Sequence, residues 1–505
     1  MNRLKVRFKL ITLLSILVIS CEDGFEELND NPNANTAADA SYILPYALEE
    51  ALGTIDWSLE FSKIYVQHMS QLLYASTGQY IYNPSSADGE WNTFYSTVLE
   101  NLKQIEYQAI ANSKPNREAV ALILKSWLFH IMTDLWGDIP YSEANMGNPP
   151  SGDKNVSPKY DTQQSIYAGL ISTLDTAIGK IDVSGNPFGG ADLIYGGDMS
   201  KWKKFAGSLK LRVYMRMSEV DPGTAESGIK SVFSSGNYFS SNDDSALKPY
   251  LDYPNNHPSN EMNRLREDDK ISTTVLDTLK ALNDPRLRVY AAPNGQKSEY
   301  WGLPPSLAQG AGYTNSGVSP IGAYFLAPRQ PGVIMTYSEV QFILCEAAAR
   351  GWISGSAETF YNDAIRANMN MYTQDKLDAV LGTFPGDPAY NVINLKSSEF
   401  PTGITTAEID AYLAQSAVAW DASKWREKIG LQKWLKLYRQ GVQGWFEWRR
   451  LDYPEIKPGR DAVLTEVPRR WAYPLIEQSL NGANYTEAVS RMGGDDLLTK
   501  MWIDK

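Results

Sequence analysis

Apolar positions recur at helical spacing over most of the chain. Residues Glu118–Met132 are apolar nearly all round, which predicts a buried helix and not an amphipathic surface one. Ile166, Leu170, Leu174 and Ala177 fall at i, i+4, i+8 and i+11, one stripe of a helix. Val340–Arg350 and Ala357–Met369 predict a helix pair broken at Gly351–Gly355. Lys428–Arg439 is amphipathic, with Leu431, Trp434, Leu435 and Tyr438 on one face. No run of alternating apolar and polar residues is long enough to predict a sheet. The fold class expected is mainly α.

Between the helices lie long irregular stretches. Gly147–Lys159 and Ser184–Asp198 are rich in Gly, Pro, Ser and Asn. Tyr290–Gly332 is the longest and holds Pro293, Pro304, Pro305, Pro320, Pro328 and Pro331 among many glycines. Loops of this length are uncommon in compact domains and are often functional. Ala357, Tyr361 and Ala364 keep the spacing of a tetratricopeptide repeat, as do Leu170, Leu174 and Ala177. Gly137-Asp138 with Tyr141 and Glu143-Ala144 resembles the turn and second-helix start of the same repeat. Any packed helical hairpin gives similar spacing, because small residues let paired helices approach. No composition shift marks a domain boundary, so residues 41–505 are expected to form a single domain of tetratricopeptide-like helices with elaborate loops.

The N-terminus departs from this pattern. Arg3, Lys5, Arg7 and Lys9 precede the apolar run Leu10–Ile19, about half the ~20 residues a membrane-spanning helix needs. Residues 1–20 therefore read as a secretory signal. The run ends Leu17-Val18-Ile19-Ser20-Cys21, which resembles the lipobox of bacterial lipoproteins, and that resemblance makes Cys21 the acylated first residue of the mature chain. Residues 21–40 are acidic, Asn-rich and broken by Pro32, as a flexible tether would be. Cys345, the one other cysteine, lies on a helical apolar face and is expected to be a buried, inert thiol. The 505 residues are 43% hydrophobic and 21% charged, a globular balance, with a net charge of −12 that repels phosphate backbones and excludes nucleic acid as a partner. His68, His130 and His257 are scattered, which argues against a histidine-built metal centre.

Catalytic signatures are missing: there is no Walker-type loop, HExxH, CxxC or G-x-S-x-G. Gly493-Gly494-Asp495-Asp496 lacks alternating oxygen ligands and reads as a tight surface turn. Asp134, Asp138 and Glu143 are the tempting carboxylates for a hydrolase, but their segment reads first as a helix end, a Gly turn and a Pro-defined restart. The positive signal is aromatic, with 14 Trp and 29 Tyr against 15 Phe. Tyr and Trp join a flat apolar face to a polar handle, as stacking on sugars or gripping peptides requires. Trp127, Phe129, Trp434, Trp445, Trp448 and Trp471 read as core. Tyr80, Tyr82 and Trp91 near the turn Asn83–Ser86, and Tyr300, Trp301, Tyr313, Tyr324 and Phe325 in the long loop, are loop anchors or a ligand platform, with Asn83, Asn92 or Asn315 placed to orient hydroxyls.

Taken in order, Cys21 with Asn31-Pro32-Asn33, Asp134–Ala144, Glu346–Trp352 with Ala357, Tyr361 and Ala364-Ile365, Gln432–Leu435, Glu447–Arg450 with Tyr453-Pro454, Pro468-Arg469, Tyr473-Pro474, Asn484 and Gly493–Trp502 resemble the SusD/RagB family of Bacteroidetes outer-membrane nutrient-binding lipoproteins. The resemblance implies a SusD-like helical fold with a loop-rich ligand face. It implies a lipid-anchored, surface-facing protein of the outer membrane that captures an oligosaccharide or a peptide and delivers it to a SusC-type TonB-dependent transporter. It implies binding without chemistry; a surface glycoside hydrolase and a purely structural assembly protein are the readings it opposes. It transfers no ligand site. The candidate ligand-binding residues Tyr80, Tyr82, Trp91, Tyr300, Trp301, Tyr313 and Tyr324 rest on loop position and aromatic type. No cofactor is expected, and a structural calcium built from loop carbonyls and scattered acids is left open.

Overall fold

Helix starts and stops in this chain are set by capping chemistry that the sequence places at the edges of the apolar stripes. The computed structural model describes residues 38–147, 149, 152–260, 268–382 and 400–504. Cys21, the signal peptide 1–20 and the tether through residue 37 lie outside the described residues. The longer helices include α1 (Ala40–Gly53), α2 (Glu100–Ala111), α3 (Pro115–Trp136), α4 (Gln163–Lys180), α5 (Met199–Arg216) and α6 (Pro222–Ser235). They continue with α7 (Thr273–Ala281), α8 (Tyr337–Ala349), α9 (Ala357–Met369), α10 (Thr406–Leu413), α11 (Trp425–Lys436), α12 (Gly441–Leu451) and α13 (Gly482–Met492). Thr162 caps α4 by accepting from Ser165 N–H, and Asp198 caps α5 by accepting from Ser200 and Lys201 N–H.

Consecutive helices pack as hairpins: α2 on α3, α3 on α4, α4 on α5, α5 on α6, and α8 on α9. This is the tetratricopeptide-like arrangement. The stripe Ile166, Leu170, Leu174 and Ala177 of α4 is wholly buried, as are Tyr361 and Ala364 of α9. Gly351 and Gly355 take positive φ and turn the chain between α8 and α9, where the glycines predicted the break. α3 has the length and hydropathy of a membrane span, but almost all of it is covered by its neighbours, so it is the core helix of the fold.

Two expectations need correction. The helix does end at Gly137, whose φ is +88°, but no helix restarts after Pro140. Ile139 instead makes an antiparallel bridge with Asp161, and the second helix of that pair begins only at Gln163. The chain also forms two small sheets too short to show in an alternating pattern. Strands β1 (Met69–Gln71), β2 (Ala246–Lys248), β3 (Asp269–Ile271) and β4 (Gly332–Met335) pair antiparallel as β1–β3, in register Ser70 to Lys270, and β2–β4, in register Ala246 to Met335. Cys345 is buried, its thiol pushed up by burial, in agreement with an inert role.

The core is not purely apolar. Arg212 of α5 grips Glu339 of α8 with two bonds, at 2.6 and 2.9 Å. Arg216, one turn on, reaches Glu447 of α12 at 3.0 Å and Asp134 of α3 at 3.3 Å. Glu447 also receives Lys433 of α11 at 2.6 Å and Arg450 at 2.8 Å, and Arg450 clamps both oxygens of Glu346 on α8 at 2.6 Å. All of these side chains are buried. Burial alone would raise the Glu339 and Glu346 carboxyls, but Arg212 and Arg450 outweigh it and hold both down to about 2. A depressed carboxylate contributes its full stability above its ordinary value of 4.5, and that contribution disappears as pH falls toward 2. Chemical denaturation followed across pH 2 to 5 should show this loss. Glu346→Ala should cost about 3–5 kcal/mol at neutral pH, because it removes the carboxylate that Arg450 clamps and leaves that buried guanidinium to share Glu447 with Lys433 and Arg216; urea midpoints with an unchanged slope would report it.

Candidate ligand-binding face

Three loops far apart in sequence are tied into one surface. The first follows β1 (residues 72–83), the second is the long stretch after Tyr290, and the third spans residues 455–465. A small apolar cluster of Leu303, Leu307 and Val318, with Leu72 and Ala311 packed on it, joins the first two. The long loop is anchored beside β3, where Leu303 N–H donates to Ile271 O at 2.9 Å and Thr273 N–H to Leu303 O at 3.1 Å. Asp461 is the hub of the third. Its Oδ2 accepts from Ala308 N–H at 2.8 Å, its carbonyl accepts from Gln79 Nε2 at 3.2 Å, and its N–H donates to Ser306 O at 3.1 Å. Val463 N–H donates to Gln79 O at 2.9 Å, and Tyr74 N–H to Gln309 Oε1 at 3.2 Å. At Gly459 a Cβ would overlap the Pro305 carbonyl, so only glycine lets these two loops approach.

These joined loops carry large exposed side chains. Trp301 is 53% exposed, Tyr74 61% and Tyr313 43%, and Leu73, Ile81 and Val463 are exposed beside them in sequence or on the partner loop. Trp301 is held in place although it is open to solvent. Its indole N–H donates to Glu299 Oε2 at 2.8 Å, and the Lys297 ammonium lies 5.5 Å from the ring centroid. Its backbone exchanges bonds with Ser319, Trp301 N–H to Ser319 Oγ at 2.9 Å and Ser319 N–H to Trp301 O at 2.7 Å. A pinned aromatic ring loses little freedom when a ligand stacks on it.

Of the candidate ring residues, Trp301 and Tyr313 present themselves to solvent. Tyr300 is half-buried and lines a cleft of its own. Tyr82 is half-buried, with its hydroxyl 3.4 Å from Ala472 O and its ionisation pushed up by burial. Tyr80, Trp91 and Tyr324 are in the core. Tyr80 meets Tyr65 edge-on at 5.5 Å, Trp91 lies among Tyr95, Trp136 and Tyr160, and Tyr324 packs on Phe325 and Tyr372. The rings of Tyr80 and Tyr324 are enclosed by these neighbours, whereas Trp91, although buried, also lines a cleft with Tyr95, Pro140, Asn145 and Ile476. Asn83 accepts from Ser85 N–H to cap a short turn and Asn92 accepts from Ser96 Oγ, whereas Asn315 stands exposed in the long loop. Sequence reasoning passed over Tyr74, Ile81 and Val463. Leu73 and Tyr74 lie just past β1, and it is the tertiary arrangement that leaves them exposed.

The three carboxylates singled out for chemistry are occupied by structure. Asp134 accepts from Tyr167 Oη at 2.5 Å within the buried network. Asp138 accepts from Gln163 N–H at 2.8 Å and Arg491 Nε at 2.6 Å, and Glu143 accepts from Asn155 Nδ2 at 2.8 Å. Asp495 of the Gly-Gly-Asp-Asp turn accepts from Arg470 and from Tyr473 N–H. Among the described residues no group of three His, Cys, Asp or Glu side chains could hold a metal ion.

The comparison with known proteins falls on the same architecture. The family model SusD-like_2, described as starch-binding associating with outer membrane, matches residues 32–474. The chain belongs to the SusD-like family. A solved chitin-binding protein is similar at 30% identity and TM-score 0.77, with 92% of this chain and 100% of that one covered. A SusD homolog from Bacteroides fragilis is similar at 24% identity and TM-score 0.75, covering 93% and 100% of the two chains. A chitin-binding SusD homolog from Flavobacterium johnsoniae is similar at 24% identity and TM-score 0.74, covering 92% and 98%. Among curated proteins none matches the sequence. In this SusD-like chain the family match spans all three loops of the exposed surface. Gly459→Ala should separate the second and third loops, lowering stability by about 1–3 kcal/mol. Amide exchange should then speed up at Ala308 and Val463 while α3 stays protected.

Proposed function

We propose that this SusD-like protein is a lipid-anchored receptor on the outer surface of the outer membrane, which binds a nutrient oligosaccharide and delivers it to a SusC-type TonB-dependent transporter. The observation that carries this reading is Trp301: an open ring fixed by Glu299, Lys297 and Ser319, on loops that also expose Tyr74 and Tyr313. Stacking on rings of this kind suits the apolar faces of sugars, and the exposed Asn315 adds hydroxyl recognition. The chitin-binding description of the 30%-identical structure makes β-linked N-acetylglucosamine chains the first ligand to try. Binding without turnover fits the structural employment of Asp134, Asp138 and Glu143. Anchoring through Cys21 and partnership with the transporter rest on the sequence signal and on the family.

The test is retention on the soluble chain lacking residues 1–21, with chitin-type and starch-type oligosaccharides and peptides presented together and bound species read by mass spectrometry. Intact glycan retained is the expected result; peptide retained alone would reassign the ligand, and shortened glycan would restore the hydrolase reading. Trp301→Ala should weaken glycan binding at least about tenfold, ~1.4 kcal/mol, with its melting temperature unchanged. Tyr324→Ala should instead lower stability by about 3 kcal/mol or more, with affinity preserved in the folded fraction.

A further inference from the structure

Tyr300 and Trp301 are consecutive, yet only Trp301 belongs to the exposed surface. Tyr300 lines a cleft of about 590 Å³ between the α7–β4 connection and α10, whose walls include Leu287, Arg288, Glu408, Ala411 and Gln415. That volume lies in the range of small-ligand pockets. The peptide between the two rings is fixed on both sides, by Lys280 Nζ donating to Tyr300 O at 2.5 Å and by the bonds of Trp301 to Ser319.

The polar wall of the cleft is rigid and neutral. Arg288 donates to Thr402 O and Gly403 O, each at 2.9 Å, and to Glu408 Oε2 at 2.9 Å. Glu408 Oε2 also accepts from Thr405 N–H at 2.9 Å, which closes the capping box of α10. Among the described residues the side-chain bonds of Glu408 fall on Oε2, which leaves Oε1 as an acceptor. At the floor, the Asp284 carboxylate is paired with Arg286, and Arg286 is itself buried. Each charge at the cleft therefore has a fixed opposite beside it. An aromatic wall, an amide, a spare carboxylate oxygen and no net charge match an uncharged polyhydroxylated ring. A uronic acid or a peptide terminus would bring a charge that nothing here balances.

We propose that this cleft is a second sugar-binding site, which takes a neutral hexose or N-acetylhexosamine unit of the same chain that stacks on Trp301. The proposal rests on the glycan-binding reading above. One glycan contacting both sides of the Tyr300–Trp301 peptide gains affinity from the second contact without a second loss of overall freedom.

The test uses chito-oligosaccharides of two to six units in titration calorimetry with the soluble chain. Ala411 is an exposed position on α10, so Ala411→Trp fills the cleft without touching the core, and Gln415→Ala removes one polar contact as a milder variant. In the wild type, affinity should rise with length. In both variants the longest oligosaccharide should bind about tenfold more weakly, with the disaccharide unchanged and the melting temperature kept. Binding of the whole series at wild-type strength by both variants would overturn the second site and leave the Trp301 reading standing. A wild-type chain that binds none of the series while retaining another neutral glycan would move the same titration to that glycan, with the same decision. Retention of no glycan at all would overturn both.

Discussion

Five helices from widely separated parts of this chain meet around a set of charges that water does not reach. Arg216 touches α3 and α12, Arg212 touches α8, and Arg450 with Lys433 closes the ring through Glu346 and Glu447. An apolar helix face tolerates sliding and rotation at modest cost, whereas a buried guanidinium tolerates only the register in which its carboxylate faces it. The network therefore fixes how the hairpin α3–α4 and the hairpin α8–α9 sit relative to α12. Everything outside the helices depends on that fixed relation, because the loops of the ligand face spring from different parts of it.

The ligand face shows what such a rigid base permits. Its loops contain few regular bonds of their own and are ordered through one carboxylate, Asp461, and one small apolar cluster. Several of their residues sit in the left-handed region that favours glycine: Tyr74 at φ +54°, Tyr80 at +61°, Ser298 at +56° and Ser306 at +53°. Conformations like these persist only where the surroundings over-determine them, and they concentrate where function needs a side chain aimed against local preference. Tyr74 is the clearest instance, since the turn of its backbone accompanies an exposed ring three residues past the end of β1.

Much of the helical frame was legible in the sequence. The stripe of α4, the break between α8 and α9 and the all-round burial of α3 follow from periodicity and from glycine, which are local properties. The restart expected at Pro140 was not, because Ile139 bridges to Asp161 and the N–H groups of Tyr141 and Ser142 after the proline donate to the Asp161 carboxylate and not to a helical turn. The ligand face was legible only as a region. Loop position and ring type do not distinguish Trp301 from Tyr324: one stands in solvent and the other packs on Phe325 and Tyr372, and the difference is made by segments far away in sequence. For the same reason Val463 and Tyr74 carried no local signal.

The central helix α3 has the length and hydropathy of a bilayer span, which matters before the protein has folded. A chain that is threaded unfolded through a translocation channel offers each apolar segment to lipid in turn, and a segment of this kind tends to stop there. α3 carries Lys125 and Asp134 within its span, and such charges oppose partitioning by about 2.5–3.5 kcal/mol each near the centre of a membrane helix, less toward its ends. In the folded protein the same two side chains are satisfied, Lys125 by Glu106 and Asp134 by Tyr167 and Arg216. Two charges inside so apolar a helix thus serve the folded core and at the same time weigh against its lodging in lipid.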